Sequence, residues 1–339
     1  MIITESIRLV QLTHPAAGRS VALVQEPLLI LLKDTTSIYK LALDALNKQV
    51  SIKQEIVALL SNQTIDYTLV YEGRTEWKIL PSFDHPQNPL ACMVSGTGLT
   101  HKNSALNRQI MHQDQQVTQT PSMQMYQWGL NGGHPENGTV GVQPEWFYKG
   151  TGHALRAHNQ ALEIPNFAND GGEEPEVAGA YIIDQKGKPW RIGFTTGNEF
   201  SDHVMEQKNY LYLAPSKLRS CSIGPELVIG TDFNEVQGTV SIVRNGTATW
   251  SKQIKSGELN MAHSLQNLEH HHFKYPGHRI PYQAHIHFYG ADAFSFGDQI
   301  RLKEGDEMIV HWQQLGRPLK NQLQHTEQKE TLVTVEPIF

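Results

Sequence analysis

The hydrophobic pattern changes period along the chain. Between residues 5 and 33, short apolar stretches such as 7–12 (IRLVQL) and 20–24 (SVALV) alternate with turn residues. This predicts short strands. Asp34, Thr35, Thr36 and Ser37 then offer helix N-cap chemistry. From there apolar residues fall at Ile38, Leu41, Ala42, Ala45 and Leu46, the spacing of an amphipathic helix. A second helix is expected over residues 51–60. Residues 1–75 thus read as a small α+β N-terminal domain. Pro81, Pro86 and Pro89 mark residues 76–89 as a linker, and a larger domain is expected over residues 90–339.

In the larger part, residues 92–101 (CMVSGTGLTH) read as a strand entering a glycine-bearing loop. Residues 101–112 have helical character. Residues 113–127 are polar without a period and are expected to form a loop or lid. From residue 140 onward β-rich runs recur, among them 179–183 (GAYII), 238–243 (GTVSIV) and 308–312 (MIVHW). The turns at Lys186-Gly187-Lys188-Pro189 and Arg244-Asn245-Gly246 have hairpin chemistry. Internal repeats and low-complexity tracts are absent from the sequence.

Composition narrows the class. With 39% hydrophobic and 18% charged residues over 339 positions, the chain is globular and can bury a large core. No apolar run approaches 18 residues, so no membrane span is expected, and residues 1–6 lack a basic signal-peptide start. Cys92 and Cys221 alone cannot build a disulfide framework, which suits a cytoplasmic protein. The sequons at Asn62, Asn137 and Asn245 then read as chance matches. A net charge of −6 speaks against a nucleic-acid surface. The P-loop pattern is absent.

Three acids between residues 171 and 230 carry the first candidate chemistry. Glu174 and Glu176 flank Pro175, and Glu199 ends the β-like run 190–199. On a strand, residues i and i+2 share one face, roughly 6.6 Å apart. Two buried carboxylates so placed repel and raise each other's pKa. A hard divalent cation removes the conflict. By spacing alone, a solvated acidic turn after Asp170-Gly171-Gly172 accounts for Glu173, Glu174 and Glu176 equally well. Histidine is abundant, with 17 residues, so a single His is weak evidence. His270, His271, His272, His278, His285 and His287 read as a loop with several surface histidines. His285 and His287 would share one strand face.

Several ordered motifs together resemble the fumarylacetoacetate hydrolase superfamily: Glu174-Pro175-Glu176, residues 193–201 (GFTTGNEFS), Ser216-Lys217 and Ile223-Gly224-Pro225. The likeness runs from about residue 90 to about 324. It takes in residues 144–149 (PEWFYK), 302–306 (LKEGD) and Leu315-Gly316. It implies an α+β chain whose catalytic domain is a mixed β-roll. It also implies one Mg²⁺, or Mn²⁺ or Ca²⁺, held by Glu174, Glu176 and Glu199 beside the substrate. Glu199 stands where most members carry Asp.

The resemblance assigns further residues. Lys149 lies in the family's P-x-x-F-x-K strand and, with Ser201, His203, Tyr289 and Gly290, is expected at the substrate. His203 replaces the usual Arg, and Tyr289-Gly290-Ala291 replaces a T-G-T motif. His101 matches the His of the hydrolytic H-x-x-E pair, but Ser104 occupies the Glu position and cannot act as a base. Glu145 stands 29 residues before Glu174, and Lys217 18 residues after Glu199. Both offsets resemble the sugar-acid dehydratase branch, where Glu and Lys flank the substrate. Glu145, Lys217 and His101 are thus the catalytic candidates. The expected reaction is dehydration of a 2-keto-3-deoxy sugar acid, such as 2-keto-3-deoxypentonate, to 2-oxoglutarate semialdehyde. The alternatives are C–C hydrolysis of a 2,4-dioxo acid and a non-catalytic sugar-acid-binding protein. The family is commonly dimeric, so a homodimer is expected.

Overall fold

The computed structural model describes residues 6–112 and 120–339. Among these residues one sheet has 12 strands and a second has five. The strands Ile7–His14, Gly18–Gln25 and Leu28–Leu32 form where the alternating pattern predicts them, antiparallel to one another. The Ile38–Lys48 helix starts at Ser37, whose side chain accepts from Lys40 N–H. The Ile52–Leu59 helix starts with a full capping box between Ser51 and Gln54. Ile38, Leu41 and Ile56 from these helices pack on Leu9, Val94, Ala180 and Ile286 of the sheet.

The N-terminal strands continue into the rest of the sheet. Ile7 and Leu9 pair with Ile229 and Leu227 of the Cys221–Ile229 strand. Glu226, buried at this seam, accepts from Tyr67 hydroxyl at 2.8 Å and from Arg317 N–H at 3.0 Å. Lys78–Ile79 also pairs with Ile7–His14, and Phe83 in the proline-bearing stretch is fully buried. The sheet then runs through Pro189–Asn198, Pro175–Ile183, Ala284–Phe288, Cys92–Gly96 and Phe147–Thr151. Ala284–Phe288 and Cys92–Gly96 are parallel while their outer neighbours are antiparallel, so the sheet is mixed.

The smaller sheet, built on Val236–Arg244, Thr247–Ser256, Glu307–Trp312, Leu319–His325 and Leu162–Ile164, covers the other face. Its Asn245-Gly246 hairpin turn has positive φ at both residues, as a two-residue turn of this hand requires. Val177, Phe194 and Val228 from the large sheet pack there against Val240, Val310 and Trp312. Pro175–Ile183 is therefore covered on both faces, and all nine of its residues are buried. A polar side chain on this strand has only its neighbours to satisfy it.

Two sequence expectations need correction. Residues 121–127 belong to the Pro121–Gly132 helix, not to a loop; residues 113–119 lie outside the described residues. The signal was present: Thr120 caps the helix by accepting from Met123 N–H, and Pro121 occupies the first turn. The histidines are not a surface loop. His271 and His272 are buried on the Leu265–Phe273 helix, and His285 and His287 are buried on the Ala284–Phe288 strand.

Candidate metal centre

The Pro175–Ile183 and Pro189–Asn198 strands form an antiparallel hairpin in which Pro175 faces Asn198. This register sets Glu199 beside Glu174, whose carbonyl accepts from Glu199 N–H at 2.9 Å. Asn198 Oδ1 accepts from Glu174 N–H at 3.2 Å and fixes the same corner. Glu174, Glu176 and Glu199 are all buried, with one carboxylate oxygen of each within 4.8 Å of the others. The solvated acidic turn is thereby excluded, and Glu173 is buried as well.

Two lysines enter the cluster. Lys217 Nζ donates to both Glu174 oxygens and to Glu199 Oε2, each at 2.7 Å, and to Ser201 Oγ at 3.0 Å. Lys149 Nζ lies 2.6 Å from Glu199 Oε1 and also donates to the Phe200 carbonyl. Lys149 and Phe147 point inward while Tyr148 points out, as strand alternation requires. His203 Nε2 meets Glu174 Oε1 at 3.0 Å, and its ring stacks on Phe294 at 4.7 Å. Gly290 N–H donates to Glu176 Oε2 at 2.7 Å.

The electrostatics follow from these contacts. Burial raises the Glu176 carboxyl far above its ordinary range, and the charges of Glu199 and Glu174 push it further. Burial raises Glu199 to about 7 against the pull of Lys149 and Lys217. Burial acts on Glu174 too, but Lys217 and His203 outweigh it and hold Glu174 well below the usual carboxylate range. Burial works against the Lys217 ammonium, yet Glu174 and Glu199 leave it raised. Burial lowers Lys149 despite Glu199.

A divalent cation fits this donor set. Glu199 meets both lysines and Glu174 meets Lys217 and His203, which leaves Glu176, bonded by the Gly290 N–H, the least compensated of the three carboxylates. Metal–oxygen bonds of ~2–2.6 Å place ligand atoms across an ion roughly 4–5 Å apart, which matches the spread of the triad. Hard oxygen donors suit Mg²⁺, Mn²⁺ or Ca²⁺.

The remaining candidates lie around this core. Glu145 enters the Phe147–Thr151 strand and binds Arg108 through both oxygens, at 2.7 and 2.8 Å. His101 is buried; its Nδ1 meets Thr100 Oγ1 at 2.9 Å, and its Nε2 has no partner among the described residues. Burial lowers its pKa to about 4, so the ring is neutral. Thr100 Oγ1 in turn donates to Tyr289 O, next to Gly290. The Tyr289 side chain turns away from the carboxylates: its ring packs with Phe233 and its hydroxyl meets Tyr181. This residue reaches the centre only through the neighbouring Gly290 N–H.

Sequence reasoning missed Arg108, Glu173 and Ser295. Ser295 donates to Glu173 from its N–H at 2.6 Å and from Oγ at 2.8 Å. That bond anchors the segment whose Phe294 and Phe296 rings pack on His203. The pattern around Ser295 carries no signal for this, because the partner is 122 positions away.

The histidines near the centre form a second buried cluster. Trp146 Nε1 donates to His272 Nδ1 at 3.2 Å, and His272 Nε2 lies 3.1 Å from His285 Nδ1. His287 bonds Ser95 Oγ at 2.9 Å and Thr97 Oγ1 at 2.8 Å. Indole N–H can only donate, so His272 Nδ1 accepts and its Nε2 carries the proton. His285 Nδ1 then accepts, leaving its Nε2 as N–H. The lone pairs a metal would need on these two rings are already used.

No protein-family model matches the chain. The chain is 28% identical over 123 residues to 2-dehydro-3-deoxy-D-arabinonate dehydratase of Saccharolobus solfataricus, covering 35% of this chain and 40% of that protein. It is 29% identical over 122 residues to a probable 2-keto-3-deoxyxylonate dehydratase of Haloferax volcanii, covering 34% of this chain and 40% of that protein. The sequence match thus spans two-fifths of the length of these relatives. A solved structure of 2-keto-3-deoxy-D-arabinonate dehydratase, complexed with magnesium and 2,5-dioxopentanoate, superposes with a TM-score of 0.69 at 18% identity. That superposition covers 95% of this chain and all of the other. The chain therefore has the fold of 2-keto-3-deoxy-D-arabinonate dehydratase and resembles the sugar-acid dehydratase branch of the fumarylacetoacetate hydrolase superfamily.

Proposed function

We propose that the protein is a metal-dependent hydro-lyase that dehydrates a 2-keto-3-deoxy sugar acid, most simply 2-keto-3-deoxypentonate to 2-oxoglutarate semialdehyde. The observation that carries this reading is the buried Glu174–Glu176–Glu199 set with Lys217 bonded into it. The likeness to arabinonate and xylonate dehydratases supports it, as does the magnesium and dioxopentanoate in the superposed enzyme.

Glu174, Glu176 and Glu199 would hold the cation. When bound, it supplies positive charge beside the 2-oxo acid, which makes the C3 hydrogens more acidic. Elimination then needs one group to take a C3 proton and another to protonate the departing C4 hydroxyl. Glu145 and Lys217 are the two candidates for those roles. Lys149, Ser201, His203 and Gly290 are the proposed substrate-side residues, with Gly290 acting through its N–H on Glu176 and Tyr289 serving only as its neighbour in the chain. His101 stays neutral, with its Nε2 free of any described partner. Ser104 offers no base, so a water nucleophile of the hydrolytic kind has no activating pair.

The deciding experiment is a coupled assay on metal-loaded protein that detects aldehyde in one arm and pyruvate in the other. Aldehyde from a 2-keto-3-deoxy acid, with solvent deuterium entering the product in ²H₂O, is the expected result. Faster pyruvate release from acylpyruvates would replace this reading with C–C hydrolysis. We also propose a homodimer, on the family resemblance alone; light scattering of the eluted protein checks it.

A further inference from the structure

Phe147–Thr151 is the edge strand of the large sheet, and residues 141–146 approach it outside any described strand. No strand ladder therefore fixes Glu145. The run lies along the Leu265–Phe273 helix instead. Asn267 accepts from Gly141 N–H at 3.1 Å and donates to the Val142 carbonyl at 2.9 Å. His271 Nε2 meets the Gly141 carbonyl at 3.0 Å. The bond nearest Glu145 in the chain is the one from Trp146 Nε1 to His272 Nδ1.

On its other side Glu145 rests against Gly98, where a Cβ would lie 1.9 Å from Glu145 Oε2. Thr97 precedes Gly98, and its Oγ1 bonds His287 Nε2 at 2.8 Å. His287 also bonds Ser95 Oγ, and Ser95 pairs with Tyr148 in the sheet. The His272 and His287 rings pack 4.4 Å apart. One pair of imidazoles thus reaches both segments between which Glu145 sits.

We infer that His272 and His287 position Glu145 for proton transfer, His272 through Trp146 and His287 through Thr97 and Gly98. The inference rests on the dehydratase reading above, in which Glu145 belongs to the acid–base pair. An indole N–H only donates, so the first brace needs a lone pair on His272 Nδ1. Burial, with His287, His285 and His278 around the ring, holds His272 well below its ordinary pKa and keeps that lone pair free of a proton. His285 Nδ1 accepts from His272 Nε2 at 3.1 Å and fixes the tautomer. The second brace needs no charge either, because each hydroxyl on His287 can donate or accept. Neither ring bonds a metal ligand among the described residues, so both are positioning residues. A shift of about 1 Å in a reacting group can cost on the order of 100-fold in rate.

The test compares wild type, Trp146→Phe, Thr97→Val, His272→Leu and His272→Asn, all Mg²⁺-loaded, on 2-keto-3-deoxypentonate. Trp146→Phe keeps an aromatic ring beside His278 and deletes the N–H. His272→Asn keeps an acceptor near the Nδ1 position, and His272→Leu keeps none. The expected result for Trp146→Phe, Thr97→Val and His272→Leu is a kcat lower by about 5-fold or more, with KM changed by less than about 3-fold. His272→Asn recovers most of the His272→Leu loss. Mn²⁺ affinity, read by paramagnetic resonance, stays at the wild-type value. A role in stability alone would lower the unfolding midpoint and leave kcat of the folded protein unchanged. A kcat within about 5-fold of wild type in either Trp146→Phe or Thr97→Val overturns the inference, as does a loss carried by KM or by Mn²⁺ affinity. An Asn variant no better than the Leu variant overturns it too. Trp146→Phe and Thr97→Val leave both histidines in place and decide the matter if His272→Leu does not fold. If wild type dehydrates no 2-keto-3-deoxy acid, the dehydratase reading falls separately. Crystal structures then judge the histidines: a displaced Glu145 in Trp146→Phe supports their positioning role, and an unmoved Glu145 overturns it.

Discussion

Two buried clusters of titratable side chains lie on neighbouring strands and solve the problem of burial in opposite ways. Glu174, Glu176 and Glu199 sit on or beside the Pro175–Ile183 strand, with Glu174 and Glu199 bonded to lysines and Glu176 raised far above the ordinary carboxylate range. His285 and His287 lie on the adjacent Ala284–Phe288 strand, where they pair with Tyr181 and Gly179, and remain neutral. Burial pushes both of these His pKa values down to about 3. The carboxylates keep oxygen lone pairs, and Glu176 meets a backbone N–H and no lysine among the described residues. His272 bonds Trp146 and His285, His287 bonds two hydroxyls, and His285 gives its Nδ1 lone pair to His272 while its Nε2 meets no partner among the described residues. Ligand type and burial therefore do not make a metal site. Unspent lone pairs and uncompensated charge do.

The strongest way to break this comparison is to remove a carboxylate. Glu174→Gln should weaken Mn²⁺ binding by ~100-fold or more and leave activity beyond rescue after EDTA treatment. His285→Gln should leave Mn²⁺ titrations unchanged. Full activity in metal-stripped Glu174→Gln protein would remove the metal centre from this account.

Next in size is the acid–base pair. Glu145→Gln should lower kcat by ~10²–10⁴ while Mn²⁺ still binds. Ser104→Ala should stay within about 3-fold of wild type, because Ser104 has no assigned role. A large Ser104→Ala effect would revive the hydrolytic alternative.

Acid sharpens the contrast, because Glu199 and the buried histidines respond to pH with opposite signs. His101, His158 and His263 have pKa values lowered to about 4, and His285 and His287 to about 3. Below about 6.5 the unfolded chain binds protons that these rings refuse, so stability falls as pH falls from there toward 4. Thermal unfolding should show a lower midpoint at pH 5 than at pH 7. Glu199 works the other way. Raised to about 7, it holds a proton in the metal-free fold that the unfolded chain has lost. Its contribution is present below its ordinary pKa and is lost as pH rises through 7. Mn²⁺ affinity should accordingly climb from pH 6 to pH 8, since ligation requires the carboxylate. A flat affinity profile would contradict the electrostatics of the triad.

A smaller effect tests the histidine side alone. Thr97→Val removes the partner of His287 Nε2 and should cost ~1–3 kcal/mol of stability by denaturant titration, with Mn²⁺ affinity unchanged. Smallest is a nick. We propose residues 1–75 as an N-terminal unit joined through residues 76–89. Limited proteolysis should cut at the exposed 87–90 stretch, where Leu90 is 69% exposed, before the sheet is attacked.

Much was legible in the linear pattern because it depends on neighbours in sequence. Strand alternation at residues 7–12, the apolar face from Ile38 to Leu46 and the caps at Ser37 and Ser51 are local physics. The shared face of Glu174 and Glu176 is also local, and the motif order carried Glu199 and Lys217. Other features were decided by tertiary structure alone. Whether the acids were a solvated turn or a buried centre depended on a second sheet covering Pro175–Ile183. Whether the histidines were surface or core depended on packing the Leu265–Phe273 helix beside Ala284–Phe288. Arg108 was invisible as a partner of Glu145, because 37 residues separate them and no periodicity links a helix to a strand entrance. Local propensity acts over a few residues; desolvation and charge pairing are set by whatever the fold brings within a few ångströms. The sequence by itself determined which elements form and which side chains carry donors. The tertiary structure decided which of those donors remain unspent.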